Sequence, residues 1–203
     1  MIDGNARQRI EAAIKDAERS TRAEFVAVLA HRADDYADTC YVAGLAAAAL
    51  AGIAAWLFLP WPGGGEILTA QFAACLVGFG LARFTSLGVR LTGRPARERK
   101  ARRLARLVFL ERGLASTEEH CGVMFFVAQG ERYVEIIADR RIDAKVDATA
   151  WQGVVDGFTA SVRAGEVERG FVGAIAAIGE ILARHYPARD GNRNEVSDRL
   201  IEI

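Results

Sequence analysis

The chain has 203 residues, of which 51% are hydrophobic and 26% charged, and its 26 Lys and Arg balance its 26 Asp and Glu. This composition excludes a disordered or collagen-like chain, and the length allows one or two domains. Because there is no overall basic excess, the composition also argues against a protein dedicated to nucleic acid.

The first predicted elements are a helix and a strand. Apolar residues follow the helical period near the start of the chain, at Ile10, Ala13, Ile14 and Ala17. The run Phe25–Ala30 is apolar without interruption, which is typical of a strand buried on both faces. Residues 1–38 supply no neighbour for such a strand, so we expect it to pair with strands that come later.

Two long apolar segments follow, and the 27 residues that begin at Thr39 carry no charge. The segment Cys40–Leu59 has 20 residues, which as a helix span about 30 Å, the thickness of the hydrocarbon core of a bilayer. The second segment runs over 67–87 and is interrupted only by Arg83, whose long side chain can reach the headgroups. With a short turn rich in Pro and Gly between them, the segments predict a transmembrane helical hairpin within 39–89.

Small residues recur at four-residue spacing in both segments, which favours close packing of two helices in lipid. The alternative is a pair of Ala-rich helices buried in the core of a soluble protein. Such helices usually show a polar stripe, and these segments do not.

The charges after the second segment predict its orientation. Nine basic residues and one acidic residue lie between Arg83 and Arg106, and an excess of Lys and Arg marks the cytoplasmic side. Two crossings return the chain to one side, so we expect both soluble parts, 1–38 and 90–186, on the cytoplasmic face of an integral membrane protein.

The basic stretch Arg94–Arg106 is also expected to attract anionic lipid headgroups, with about 1 kcal/mol for each basic residue near the surface. No aromatic residues alternate with these charges to stack on bases. We therefore expect a lipid partner for this stretch and no nucleic acid.

The remaining elements predict the second part of an α/β domain. Residues 97–112 form a basic amphipathic helix, Val123–Ala128 a second doubly buried strand, and Arg132–Ala138 an edge strand. Two amphipathic helices close the domain, the first capped by Asp147, and residues 187–203 form a polar, loosely held tail. The expected fold class is α/β, a small mixed sheet of about three or four strands with helices on both faces, interrupted by the hairpin.

A right-handed crossover makes the first two strands parallel, which sorts polar residues onto two rims of the sheet. The rim at the carboxyl ends of these strands would face the membrane, with His31, Asp34, Asp35 and the turn Gln129–Arg132. The opposite rim would face the cytosol. It would hold Arg140, one histidine and four acidic residues: His120, Glu118, Glu119, Asp139 and Asp143.

Carboxylates beside an imidazole suit a hard cation such as calcium, so these five residues of the cytosolic rim are the candidate metal ligands. The alternative is a solvated acidic rim with surface ion pairs. The sequence contains no zinc-protease, phosphate-loop or nucleophile-elbow motif, so it identifies no catalytic residue and no certain cofactor.

Several segments resemble the TPM domain family, named after thylakoid-lumen, photosystem-repair and acetylcholine-receptor-modulator proteins. The run Cys121–Ala128, followed by Glu131–Arg140, resembles the core of that domain, and Thr21–Val28 resembles its first strand. Its closing helices are similar to Phe158–Gly165 and Gly170. The resemblance covers about residues 8–38 and 97–186.

This resemblance implies an α/β fold and, as in some members, calcium binding or weak phosphatase activity. The family usually has a terminal anchor, a location outside the cytoplasm and Asp-Asn-Gly before the second strand, whereas this chain has an inserted anchor and His120-Cys121-Gly122. We therefore expect a binding or regulatory module that contacts an unidentified membrane protein. A metal-assisted phosphatase and a hairpin that mediates oligomerisation are the alternatives.

Overall fold

The structure is a computed structural model that describes residues 3–58, 63–115, 121–188 and 199–203. In chain order, the helices and strands within these ranges are α1 (Gly4–Ser20), β1 (Glu24–Ala30), α2 (Ala37–Phe58), α3 (Gly64–Phe84), α4 (Leu87–Leu91), α5 (Arg94–Glu111), β2 (Gly122–Ala128), β3 (Tyr133–Ala138), α6 (Arg140–Asp143), α7 (Ala148–Arg163), α8 (Val167–His185) and β4 (Ile201–Glu202).

The chain forms two compact units. One consists of Met1–His31 together with Arg102–Ile203, and the other of Arg32–Ala101. We call the first the α/β unit and the second the helix-pair unit, because it contains α2 and α3. Along the chain, the helix-pair unit is inserted between β1 and β2.

A four-stranded mixed sheet with the order β3-β2-β1-β4 forms the framework of the α/β unit. Strand β1 is parallel to β2 and to β4, whereas β2 is antiparallel to β3. Every residue of β1 and β2 is buried, which confirms the two doubly buried strands predicted from their uninterrupted apolar runs. The predicted edge strand is β3, and its residues are half-buried.

Helices α1, α7 and α8 cover one face of this sheet. Their apolar side chains form one buried cluster with alternate residues of β1 and β2. At its centre, the rings of Phe125, Phe158 and Phe171 meet edge to face, with centroids 5.1 to 5.7 Å apart. The Asp147 carboxylate caps α7 by accepting from the Thr149 amide (2.9 Å), as predicted.

The part of α5 that belongs to the α/β unit covers the opposite face. Arg102 of α5 donates to the Tyr133 hydroxyl (3.1 Å) and lies 3.6 Å from a Glu135 oxygen. These two residues alternate along β3 with Val134 and Ile136, which pack against the cluster of the first face. The predicted fold class, a small mixed sheet with helices on both faces, is therefore confirmed.

The last residues differ from the loosely held tail predicted over 187–203. Strand β4 lies beside β1, where the Ile203 amide donates to the Leu29 carbonyl (3.1 Å) and the His31 amide donates to the Ile203 carbonyl (2.8 Å). Leu200 is buried in the apolar cluster. For residues 200–203 the prediction is wrong, because the outer edge of β1 pairs with this short apolar stretch.

In the helix-pair unit, α2 and α3 are long and apolar enough to cross a membrane. Gly78 lies against Ala43 and Ala47, and a Cβ added there would be 2.7 Å from the Ala47 Cβ, so glycine permits the close approach. Only 11% and 6% of their most apolar stretches are buried. This low burial disfavours the alternative of a helix pair in the core of a soluble protein.

The two helices differ slightly from the predicted segments. Helix α2 begins at Ala37, before the predicted Cys40, and Leu59 and the following turn lie outside the described residues. Helix α3 ends at Phe84 rather than at residue 87, because the Thr85 hydroxyl and amide both bond back to the Leu81 carbonyl.

Candidate functional site

The candidate site is the rim of the sheet where β1 and β2 begin and β3 ends. The antiparallel ladder pairs Ala138 with Val123, and one residue further on the Asp139 amide donates to the Gly122 carbonyl (2.9 Å). On the other side of β2, the Glu24 amide donates to the Cys121 carbonyl (3.1 Å). The parallel pairing of β1 and β2 therefore brings these strand ends together, as predicted.

Of the five predicted metal ligands, the structure describes Asp139 and Asp143. Asp139 is half-buried and is the N-cap residue of α6, where its carbonyl accepts from the Asp143 amide (3.0 Å). Asp143 is exposed. Glu118, Glu119 and His120 lie outside the described residues. Within the described ranges, no three His, Cys, Asp or Glu side chains come close enough to hold a metal ion, so the calcium site stays a prediction.

The rim also carries an aromatic–cation cluster that the sequence analysis missed. Tyr186 follows α8 and is only 4% exposed. The Arg22 guanidinium carbon lies 5.4 Å and the Lys145 ammonium 4.7 Å from the centroid of its ring, within the range of cation–π attraction. Its hydroxyl donates to the Arg141 carbonyl (2.7 Å), and burial raises the pKa of Tyr186, which keeps the phenol protonated as a donor. We call Tyr186, Arg22 and Lys145 the Tyr186 cluster.

Backbone contacts fix the Tyr186 cluster to the start of β1. The Thr21 hydroxyl and the Arg22 amide both donate to the Tyr186 carbonyl, at 2.6 and 3.1 Å. The Cys121 thiol donates to the Arg22 carbonyl (3.5 Å) and is 2% exposed. This geometry fits a structural thiol and not an accessible nucleophile.

The described charges of the rim have both signs. Exposed Arg140, Arg141 and Lys145 accompany the carboxylates of Asp139 and Asp143. Exposed cations and carboxylates side by side can pair with a charged segment of another molecule, whereas the buried Tyr186 ring makes its contacts within the unit.

The Tyr186 cluster could not be predicted from the sequence, since its members come from three distant segments, and a tyrosine before Pro187 was the only local signal.

At the opposite rim, where β1 and β2 end, the structure brings together two of the predicted features, His31 and the turn Gln129–Arg132. The Gly130 amide donates to the His31 carbonyl (3.1 Å), so His31 and the turn Gln129–Arg132 lie together. An imidazole nitrogen of His31 is 3.9 Å from a Glu202 oxygen, a contact that the predicted loose tail would not allow. Asp34 and Asp35 lie in the helix-pair unit, so their position at this rim stays a prediction.

Within the helix-pair unit, Asp34 pairs with a residue of the basic stretch. The Lys100 ammonium lies 3.0 Å from Asp34, 3.2 Å from Asp38 and 4.8 Å from the centroid of the buried Tyr36 ring. Burial alone would raise the pKa of Asp34, but hydrogen bonds from the Tyr36 amide and from Lys100 hold it below its usual value. Asp34 and Asp38 therefore form a specific ion pair with Lys100 of the basic stretch beside the start of α2.

The fold and the rim define an α/β domain in which a pair of apolar helices is inserted in the chain between two neighbouring strands of the sheet, β1 and β2. Residues 89–181 match the family model of the TPM domain, which confirms the resemblance to the TPM domain family. The matched segment runs from α4 into α8 and contains β2 and β3. Strands β1 and β4 of the same sheet lie outside it.

Among solved structures, the NMR structure of the BA42 protein from the psychrophilic bacterium Bizionia argentinensis sp. nov. is similar. The comparison covers 100% of this chain and 96% of that chain, with a TM-score of 0.62 and 15% sequence identity. At this identity the likeness shows a shared fold. No curated protein matches the sequence.

Proposed function

We propose that the protein is a membrane-anchored TPM-like module on the cytoplasmic face, where it binds or regulates a membrane protein. The exposure of large apolar side chains on α2 and α3 carries this proposal. Trp56 is 73% and Phe72 67% exposed, and similar side chains cover the outside of both helices. Such a surface is unfavourable in water and matches the hydrocarbon core of a bilayer.

Charge supports the cytoplasmic side. The end of α3 and the helices that follow it carry exposed arginines, among them Arg83, Arg90 and Arg94. In the helix pair itself, the only other charges are Asp38 and Glu66, near the starts of α2 and α3. A basic excess beside a membrane span favours retention of that end in the cytoplasm.

The anchor is tested by extraction of membranes with alkaline carbonate. We expect the full chain to remain in the membrane pellet, and its release into the supernatant would overturn the anchor.

Sidedness is tested with single cysteines in a variant that lacks Cys40, Cys75 and Cys121. Because Cys121 is buried, exposed Asp156 of α7 is the better reporter of the α/β unit. In spheroplasts, an impermeant maleimide should label the variant G64C directly and the variant D156C only after permeabilisation. The reverse pattern would place the α/β unit outside.

The binding role is tested at the rim. Charge reversal at Glu118, Asp139 and Asp143 should reduce recovery of a partner in pull-downs from detergent extracts. The matched control reverses exposed Asp156 and Glu180 on α7 and α8. Equal recovery of partners by both variants would remove the rim from the interaction.

The alternative function is a metal-assisted phosphatase that uses the same rim. The match to the TPM domain favours it. Asp139 also lies beside Gly122 at the start of β2, and Glu118, Glu119 and His120 precede that strand by two to four residues in the chain. This alternative predicts a rise in melting temperature with calcium or magnesium that D139N and D143N abolish. Unchanged melting in both metals would exclude it.

A further inference from the structure

The outer face of α5 in the α/β unit carries both charge and apolar surface. The inner face of this helix is buried through Ala105, Val108 and Phe109. Four exposed residues at the spacing i, i+3, i+4 and i+7 lie together on the other side. They are Arg103, Arg106, Leu107 and Leu110, and we call them the α5 outer face.

The two leucines are unusually exposed for this unit. Leu107 is 50% and Leu110 64% exposed. Among the other large apolar side chains described in the α/β unit, the most exposed is Ile203, at 42%. A helix face in contact with water normally carries polar residues at such positions. The two exposed leucines therefore indicate a surface that is covered by a lipid bilayer or by another molecule.

The two arginines are available to an external anion. Their neighbour Arg102 lies 3.6 Å from Glu135, and Arg94 donates to Glu98 at 2.8 Å. Within the described ranges, neither Arg103 nor Arg106 has a carboxylate within 4.0 Å. A guanidinium group binds phosphate oxygens through paired hydrogen bonds, so this face suits phosphate-bearing headgroups.

We propose that the α5 outer face docks the α/β unit on the surface of an anionic bilayer, with the arginines on lipid phosphates and the leucines inserted among the headgroups. This proposal rests on the proposed membrane anchor. Helix α3 ends at Phe84 and the α5 outer face begins at Arg103, so 18 residues, which include α4 and the start of α5, connect this face to the proposed membrane span. Because the proposed anchor holds the α/β unit near the bilayer, the effective concentration of lipid at this face is high. A contact that would be weak for a free protein then forms for a large fraction of the time.

The size of the face favours lipid over a protein partner. A stable protein interface buries about 800 Å² on each side and involves about 20 to 30 residues. The α5 outer face offers four residues, which is too small for such a partner and sufficient for an additional contact with a bilayer that the chain already spans.

The test places a fluorophore beside the face and leaves its four residues unchanged. Glu111 lies one turn after Leu107 and is exposed, so E111C is labelled in the full chain without its native cysteines. The protein is reconstituted in nanodiscs of phosphatidylcholine, alone or mixed equally with phosphatidylglycerol, with a quencher on the lipid chain. E180C on α8 is the matched control, since it also replaces an exposed glutamate of a helix.

We expect lipid quenching of E111C to be at least threefold stronger with phosphatidylglycerol and to fall to the level of E180C in R103E/R106E. Replacement of both leucines by serine should weaken the quenching without removing its dependence on charge. Unchanged melting temperatures of the variants would show that the fold is intact.

Three results would overturn the proposal. The first is equal quenching of E111C and E180C in anionic discs, and the second is quenching that R103E/R106E leaves unchanged. The third is shielding of E111C in native membranes but not in pure lipid, which would identify a protein on this face. Failure of the anchor itself is distinct, because the chain would then not enter the discs at all.

Discussion

At Gly122, the first residue of β2, the fold leaves no space for a side chain. The Leu114 carbonyl lies where a Cβ would be placed. Glycine weakens the interior of a strand, so its presence here reflects the close approach of the segment that follows α5. This approach brings the backbone of that segment directly onto the start of β2 at the candidate rim.

The variant G122A should therefore destabilise the α/β unit by about 1–3 kcal/mol, because the new methyl group forces the backbone at Leu114 to move. The control is G153A in α7, where no atom lies within 4 Å of the added Cβ. That variant should gain about 0.5–1 kcal/mol from higher helix propensity. Denaturant unfolding of both variants in detergent measures the difference, and equal stabilities would contradict the packing at Gly122.

Asp34 should make the stability of the protein sensitive to acid. Because its pKa is lowered in the folded state, its contribution is present above its ordinary pKa of about 3.8 and is lost as the pH falls through the lower folded value. We expect D34N to melt at a lower temperature at neutral pH and to lose less stability below about pH 4 than wild type. Melting curves over this pH range test it, with D143N as the control. Parallel curves for wild type and D34N would exclude the ion pair with Lys100 as a source of stability.

At the scale of elements, contact between α2 and α3 depends on small residues on their facing sides. Gly78 has the Ala47 Cβ and the Ala43 carbonyl at 2.7 and 3.0 Å from an added Cβ, whereas no atom lies within 4 Å at Gly80, on the same helix. Gly78 and Gly80 therefore lie in the same helix, but only Gly78 packs closely against α2.

The variant G78L should separate the two helices and lower the melting temperature of the protein in detergent, whereas G80L should change it little or raise it. Both variants add the same side chain to α3, so the comparison isolates packing from hydrophobicity. If both substitutions lowered stability equally, close packing at Gly78 would be excluded as the cause.

The elements that could be predicted are those with a long hydrophobic pattern. The apolar runs located β1, β2, α2 and α3 within a few residues. Strands buried on both faces and helices apolar enough to cross a membrane both show such uninterrupted runs. Strand β4 has two residues, and no periodicity can be read over that length. The Tyr186 cluster could not be predicted for another reason. Its side chains come from segments beside β1, α6 and α8 and meet only after these elements have assembled, and a tyrosine before Pro187 is the only local signal in the sequence.

For the whole molecule, the sheet is more extensive than the segment that matches the TPM domain. Residues 89–181 contain β2 and β3, whereas β1, with seven buried residues, lies between β2 and β4 and is outside the match. The matched segment would thus expose the edge of β2 and the apolar face of α8 that α1 covers.

Expression of residues 89–188 alone should therefore give an unfolded or aggregated product. Co-expression of residues 1–31 as a separate fragment should restore a protease-resistant complex, because this fragment supplies α1 and β1. Limited proteolysis and circular dichroism measure both outcomes. A stable, monomeric fragment 89–188 would show that β1 is dispensable.

The parallel pairing of β1 with β2 has a consequence for the order of events during synthesis. Strand β1 ends at Ala30 and its partner begins at Gly122, so the ribosome needs on the order of 5 to 20 s to deliver the second strand. During that interval the two helices that are long and apolar enough to cross a membrane emerge, while the seven residues of β1, all buried in the folded protein, have no partner strand. An unpaired apolar strand is prone to aggregate, so we expect this strand of the nascent chain to be shielded, by a chaperone or by the ribosome surface, until translation passes the insertion.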